Sequence, residues 1–124
     1  MQNRIAFWGT PELTITYLDN LEAHGMTPVV IVTNPDRPKG RGHELTPPAP
    51  KLWAQKRNIP VLQPEKLDMD FFAELSKFNL DISIVVAYGK IIPQEFIDLP
   101  KHKTLNVHYS LLPKYRGAAP TESA

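Results

Sequence analysis

Apolar residues along this chain follow two rhythms. Short unbroken runs occur at Ile5-Ala6-Phe7-Trp8, at Pro28 to Val32 and at Ile82 to Ala87. Each run ends at residues that favour turns or polar contacts: Gly9, then Thr33-Asn34, then Tyr88-Gly89. Runs of this length without alternation predict strands buried on both faces. The second, Val29-Val30-Ile31-Val32, is β-branched throughout, which suits a pleated surface. Between the runs, apolar residues recur at helical spacing. Leu13, Tyr17, Leu18 and Leu21 predict a helix that begins with Pro11 in its first turn and stops at His24-Gly25. Phe71, Phe72, Leu75 and Phe78 predict another, capped by Asp68. Residues Ala49 to Arg57 and Pro93 to Leu99 predict two further helices. Val61-Leu62 reads as a very short strand and Thr104 to His108 as the last one. Ala118 to Ala124 reads as the opening of a helix, with Pro120 near its first turn and Glu122 favourable to its dipole.

Strands alternating with helices predict a parallel sheet with helices on both faces. Ligands of such sheets sit beyond the carboxyl ends of the strands. Gly9-Thr10-Pro11, Thr33-Asn34, Ala87-Tyr88-Gly89-Lys90 and His108-Tyr109-Ser110 all fall at those ends, so four distant segments are expected on one edge. From Asn34 to Pro48 the chain carries Arg37, Lys39 and Arg41 among prolines and glycines with little apolar residue to anchor it. That segment is expected to be a solvated, mobile loop.

Composition narrows the classes. With 124 residues, 42% of them hydrophobic and 22% charged, the chain can bury one core. There is no cysteine, which removes disulfides and thiolate metal ligands and suits a reducing compartment. No apolar run approaches the roughly 20 residues of a membrane span. Met1-Gln2-Asn3-Arg4 leads straight into a strand, so no signal peptide is read and a cytoplasmic location is expected. The net charge of +1, from 14 basic against 13 acidic side chains, does not fit a general nucleic-acid coat; polyanion binding has to come from a local cluster. Pro is abundant at 13, about twice the usual share, and concentrates between Pro35 and Pro64.

Two residues near the C-terminus carry the chemistry. Because side chains alternate along a strand, Asn106 and His108 point one way and Leu105 and Val107 the other. His moves protons near neutral pH, and a neutral amide can donate to an oxygen that gains negative charge. For an isolated N-x-H the commoner reading is two polar residues capping loop backbone. Gly9-Thr10-Pro11 is not G-x-G-x-x-G, and no such fingerprint occurs elsewhere, which weighs against a dinucleotide cofactor.

The residues after His108 change that balance. The run Asn106-Val107-His108-Tyr109-Ser110-Leu111-Leu112-Pro113 resembles the N-x-H-x-S-L-L-P signature of the folate-dependent formyltransferases. Its continuation Lys114-Tyr115-Arg116-Gly117-Ala118-Ala119-Pro120 resembles the branch of that family that acts on methionyl-tRNA. Gly9-Thr10-Pro11, the loop Asn34-Pro35-Asp36-Arg37-Pro38-Lys39-Gly40-Arg41-Gly42 and the run from Val85 to Pro93 are similar to three more motifs of that branch, in the same order.

The resemblance implies a Rossmann-like α/β fold. It also implies that residues 1–124 are the N-terminal part of a formyltransferase catalytic domain, with a catalytic Asp and a second, barrel domain further on. A chain without that Asp is expected to be inactive by itself. The implied reaction passes formyl from 10-formyltetrahydrofolate to the amine of methionyl-tRNA, with no metal. Asn106 would hydrogen-bond the formyl oxygen, and His108 would carry the proton from amine to leaving nitrogen. Tyr88, Gly89, Lys90, Ile91 and Ile92, with Ser110, Leu111, Leu112 and Pro113, would line the folate pocket. Read singly, Ser110 suits a strand-end turn, Leu111 and Leu112 a core, and Pro113 a fixed loop shape. Thr10 would border the amino-acid end of the substrate, while Arg37, Lys39 and Arg41 would meet the tRNA acceptor arm. His43-Glu44 stands where many relatives carry two basic residues. A monomer without membrane contact is expected. Rival readings are a formyltransferase for a sugar-nucleotide or glycinamide ribonucleotide amine, and a non-catalytic tRNA- or folate-binding module.

Overall fold

Strand β1 (Ile5–Gly9) is buried at every position, as expected of a strand with neighbours on both sides and helices above and below. In the computed structural model, residues 3–39, 42 and 44–108 are described. A turn at Pro11 to Leu13 then leads into helix α1 (Thr14–Ala23). The helix starts later than the position of Pro11 suggests, because the Pro11 carbonyl accepts from both the amide and the hydroxyl of Thr14, at 3.0 and 2.7 Å, and closes a separate turn. At its other end Gly25 has φ +72°, Met26 N–H donates to the Leu21 carbonyl and Gly25 N–H to the Glu22 carbonyl. That is the glycine stop the sequence predicts.

The chain continues through β2 (Val30–Val32), β3 (Arg37–Lys39), β4 (Glu44–Thr46), α2 (Ala49–Gln55), β5 (Val61–Leu62), α3 (Met69–Ser76), β6 (Ile82–Val86), α4 (Gln94–Asp98) and β7 (Thr104–Asn106). Five strands form one parallel sheet in the order β5-β2-β1-β6-β7. Its two faces carry separate cores. Ala6, Trp8, Val30, Val32 and Val85 pack with Phe71 and Leu75 of α3 and Phe96 of α4. Ile5, Phe7, Ile31, Ile84 and Val86 pack with Leu18 of α1 and Trp53 and Ala54 of α2. The alternation of β1 and β6 assigns each side chain to its layer. Burying each of the Val, Leu, Ile and Phe side chains contributes about 1.5–3 kcal/mol. The arrangement is Rossmann-like.

One expectation needs correction. The segment from Asn34 to Pro48 is not an unanchored loop. Its two ends pair as the antiparallel hairpin β3–β4, with Arg37 opposite Thr46, Pro38 opposite Leu45 and Lys39 opposite Glu44. Pro38 is tolerated because a two-stranded ribbon has open edges that need no N–H. The hairpin is tied down by polar rather than apolar contacts, which hydrophobic pattern does not reveal. The Asp36 carboxylate accepts from Lys51 Nζ at 3.1 and 3.2 Å and from Gln63 Nε2 at 2.7 Å. These bonds hold the Asp36 carboxyl below its ordinary value, the Gln63 bond foremost.

Helix α2 packs through Trp53, and does so with more chemistry than its apolar surface. The indole N–H donates to Asp19 of α1 at 2.8 Å, and the Arg57 guanidinium lies 3.8 Å from the ring centroid. Arg57 in turn pairs with Glu22 through two bonds of 2.7 and 3.0 Å. Among the described residues no helix is long and apolar enough to cross a membrane. The predicted helix over 118–124 lies outside the described residues.

Candidate active site at the carboxyl edge of the sheet

Sheet order reverses between β1 and β6. The chain runs outward from β1 to β2 and β5, then crosses back to lay β6 on the other side of β1. A crevice opens at such a switch point, outside the carboxyl ends of the two strands. Here it is spanned by hydrogen bonds. Thr10, directly after β1, donates its hydroxyl to the Tyr88 carbonyl at 2.9 Å. Asn34, after β2, donates its side-chain amide to the same carbonyl at 2.9 Å.

The chain around Tyr88 is bent by two left-handed residues, Ala87 at φ +51° and Gly89 at φ +97°. Gly89 suits that conformation; Ala87 adopts it against its preference. A Cβ on Gly89 would also stand 3.2 Å from Asn34 Nδ2. The double bend drives the Tyr88 ring into the core, where it is 2% exposed and lies edge-on to Trp8 at 5.1 Å. Burial pushes the phenol up to about 12, so it stays protonated at neutral pH. With its ring in the core, Tyr88 meets the site through its main chain.

A cleft of about 470 Å³ lies beside this turn. Tyr88 to Ile92 line it, together with Asn106, Val107 and His108. Ile91 is 93% exposed, so it belongs to the mouth of the cleft and not to the core. Ile92 packs on the edge of the core. The Lys90 ammonium is turned away to donate to the Pro64 and Glu65 carbonyls, both at 3.0 Å. After β7, Val107 N–H donates to the Val85 carbonyl at 2.8 Å and carries the ladder one residue further. Asn106 and His108 are both exposed and both line the cleft. Leu105 and Val107 meet Tyr17 and Leu21 of α1 in a separate apolar groove on the other face of the sheet.

The remaining sequence candidates separate. Thr10 commits its hydroxyl to the Tyr88 carbonyl. Arg37 is exposed on β3, and Lys39 ends that strand. Arg41, Ser110, Leu111, Leu112 and Pro113 lie outside the described residues. Among the described residues no three His, Asp or Glu side chains come together as a metal-binding group. Sequence reasoning missed Gln63 and the side chain of Asn34. Both follow strands at the carboxyl edge, and that position was the available signal.

The model of the formyl transferase family matches residues 3–124. Methionyl-tRNA formyltransferase of Sulfurihydrogenibium sp. is 49% identical over 123 residues, which are 98% of this chain and 40% of that protein. Methionyl-tRNA formyltransferase of Thermodesulfovibrio yellowstonii is 47% identical over 125 residues, covering 100% of this chain and 41% of the relative. The chain thus spans about two fifths of the length of these relatives. Among solved structures, phosphoribosylglycinamide formyltransferase from Bacillus halodurans superimposes with a TM-score of 0.63 at 14% identity, over 93% of this chain and 60% of the other. Glycinamide ribonucleotide transformylase 1 from Geobacillus kaustophilus gives 0.60 at 20%, over 95% and 64%. These two share the fold, and the family match together with the identity to the methionyl-tRNA enzymes places the chain in the formyl transferase family.

Proposed function

We propose that the protein is a methionyl-tRNA formyltransferase, moving formyl from 10-formyltetrahydrofolate to the amino group of initiator methionyl-tRNA. The observation that carries the reading is the shared cleft, lined both by Asn106 and His108 and by the Tyr88–Ile92 turn. The cleft fits a flat heterocycle. Its volume lies within the range of small-molecule pockets, and one wall combines a main-chain turn with the exposed aliphatic Ile91. Tyr88 through Ile92 would hold the pterin, with Ser110 to Pro113 completing the pocket. Bound 10-formyltetrahydrofolate supplies an activated formyl carbon. The Asn106 amide donates to the formyl oxygen as that oxygen gains charge. His108 accepts the proton of the attacking amine and returns it to the leaving nitrogen. A further Asp, expected outside residues 1–124, would orient His108.

Arg37 and Lys39 of the hairpin, with Arg41, would meet the phosphates and bases of the acceptor arm, with Thr10 bordering the methionyl end. The methionyl-tRNA reading is favoured over glycinamide ribonucleotide because two relatives of that name are 49% and 47% identical, against 14–22% for the ribonucleotide enzymes of known structure. The reading implies a cytoplasmic monomer serving translation initiation. Formyl transfer to each acceptor, assayed in a protein of the relatives' full length carrying this chain, is the test. Turnover with methionyl-tRNA and none with glycinamide ribonucleotide is expected; the reverse overturns the proposal.

A further inference from the structure

Three segments at the carboxyl edge are tied to one another in a closed ring that no catalytic assignment uses. Asn34 Nδ2 donates to the Tyr88 carbonyl at 2.9 Å. Lys90 Nζ, two residues on, donates to the Pro64 and Glu65 carbonyls at 3.0 Å. Gln63 Nε2 closes the ring, donating to the Asn34 carbonyl at 3.1 Å and to Asp36 at 2.7 Å. Residues 34–36 lead directly into β3, and residues 88–90 form the cleft turn. The ring therefore joins the base of the hairpin to the wall of the cleft.

Its geometry is specific. The Asn34 amide must turn its nitrogen to the Tyr88 carbonyl, which leaves Oδ1 buried without a partner among the described residues. A bond kept at the expense of a buried orphan acceptor holds the turn in one place. Gln63 fixes the same Asn34 from behind through its carbonyl, and one amide nitrogen thereby serves both the hairpin base and the residue that grips the turn. A shift of the hairpin moves Asp36, Gln63 and Asn34 together, and with them the Tyr88 carbonyl.

We propose that Asn34 and Gln63 are positioning residues that couple the RNA-facing hairpin to the folate cleft, so that filling either site strengthens binding at the other. This rests on the functional reading above. Coupling of this kind is reciprocal: each ligand must alter the other's affinity by the same factor.

The test uses a protein of the relatives' full length carrying this chain. The probes are 5-formyltetrahydrofolate, whose formyl group is on the wrong nitrogen for transfer, and uncharged initiator tRNA. In the wild type, tRNA is expected to tighten the folate probe about fivefold or more, and the folate probe to tighten tRNA equally. In Asn34→Leu and Gln63→Leu each probe alone still binds and the factor falls to one. Asn34→Gln, which keeps the amide donor, restores part of it. In the ligand-free protein, Gln63→Leu is expected to quicken amide exchange in both the 37–46 hairpin and the 87–90 turn. Two binding sites with no coupling, or coupling that survives both leucine variants, overturns the proposal. Failure of the wild type to bind either probe would sink the functional reading itself. Amide exchange then judges the ring alone, and quickening confined to residues beside position 63 counts against it.

Discussion

Gly9 ends β1 at a point with no room for a side chain. A Cβ there would stand 2.7 Å from the Val86 carbonyl oxygen, 2.8 Å from Thr14 Cγ2 and 2.9 Å from Phe7 Cε2. Backbone cannot yield as a side-chain tip can, so Gly9→Ala is expected to destabilise the fold by about 1–3 kcal/mol. A urea midpoint equal to that of the wild type would contradict this packing. Asp36 makes a pH-dependent prediction. Its carboxyl is lowered from the ordinary 3.8, so its contribution is complete above that pH and is lost as pH falls through the lower folded value. The stability gap between wild type and Asp36→Asn should shrink as pH drops from about 5 to about 2, measured by urea unfolding. A gap that stays constant would show that the carboxylate does not anchor the hairpin. At this scale the sequence disclosed Asn106 and His108 on one face, because alternation in a strand is local geometry. It did not disclose where Tyr88 points. That depends on Ala87 accepting a left-handed conformation under tertiary constraint, which no propensity for alanine suggests.

Two helix ends, the Gly25 stop of α1 and the Asp68 cap of α3, were legible for the same reason: capping chemistry is local. Asp68 accepts from Phe71 N–H at 3.0 Å, as its position before an apolar run predicts. Asp68→Ala is expected to cost about 1 kcal/mol. Asp70→Ala, in the first turn and outside the cap bond, should cost only a few tenths through the helix dipole. Equal losses in the two variants would remove the cap from the account. The hairpin β3–β4 was not legible. Its strands are three residues each, one contains proline, and its anchors Lys51 and Gln63 are 15 and 27 residues from Asp36 in sequence.

At the scale of the molecule, the alternation of strands and helices sufficed to predict a parallel sheet whose ligand edge gathers Gly9-Thr10, Asn34 and Tyr88-Gly89. Thr10 and Asn34 do converge on one carbonyl. Strand order required the full topology. Arg37 lies on the hairpin and does not line the cleft, which gives a prediction of its own. In a protein of full family length, Arg37→Ala should weaken methionyl-tRNA binding and reduce its salt slope by about one, leaving affinity for a folate probe alone unchanged. Loss of folate affinity with normal tRNA binding would move the hairpin into the folate site.

In the proposed function Asn106 and His108 act on the charge and proton of the reaction and not on ground-state binding. The direct measurement is single-turnover formyl transfer to methionyl-tRNA by wild type, Asn106→Ala and His108→Ala, with 5-formyltetrahydrofolate titrated into each. Asn106→Ala is expected to slow transfer roughly 100- to 1,000-fold, and His108→Ala at least as much. The folate probe should bind all three proteins within about twofold. Transfer at the wild-type rate with weakened folate binding in either variant would contradict it.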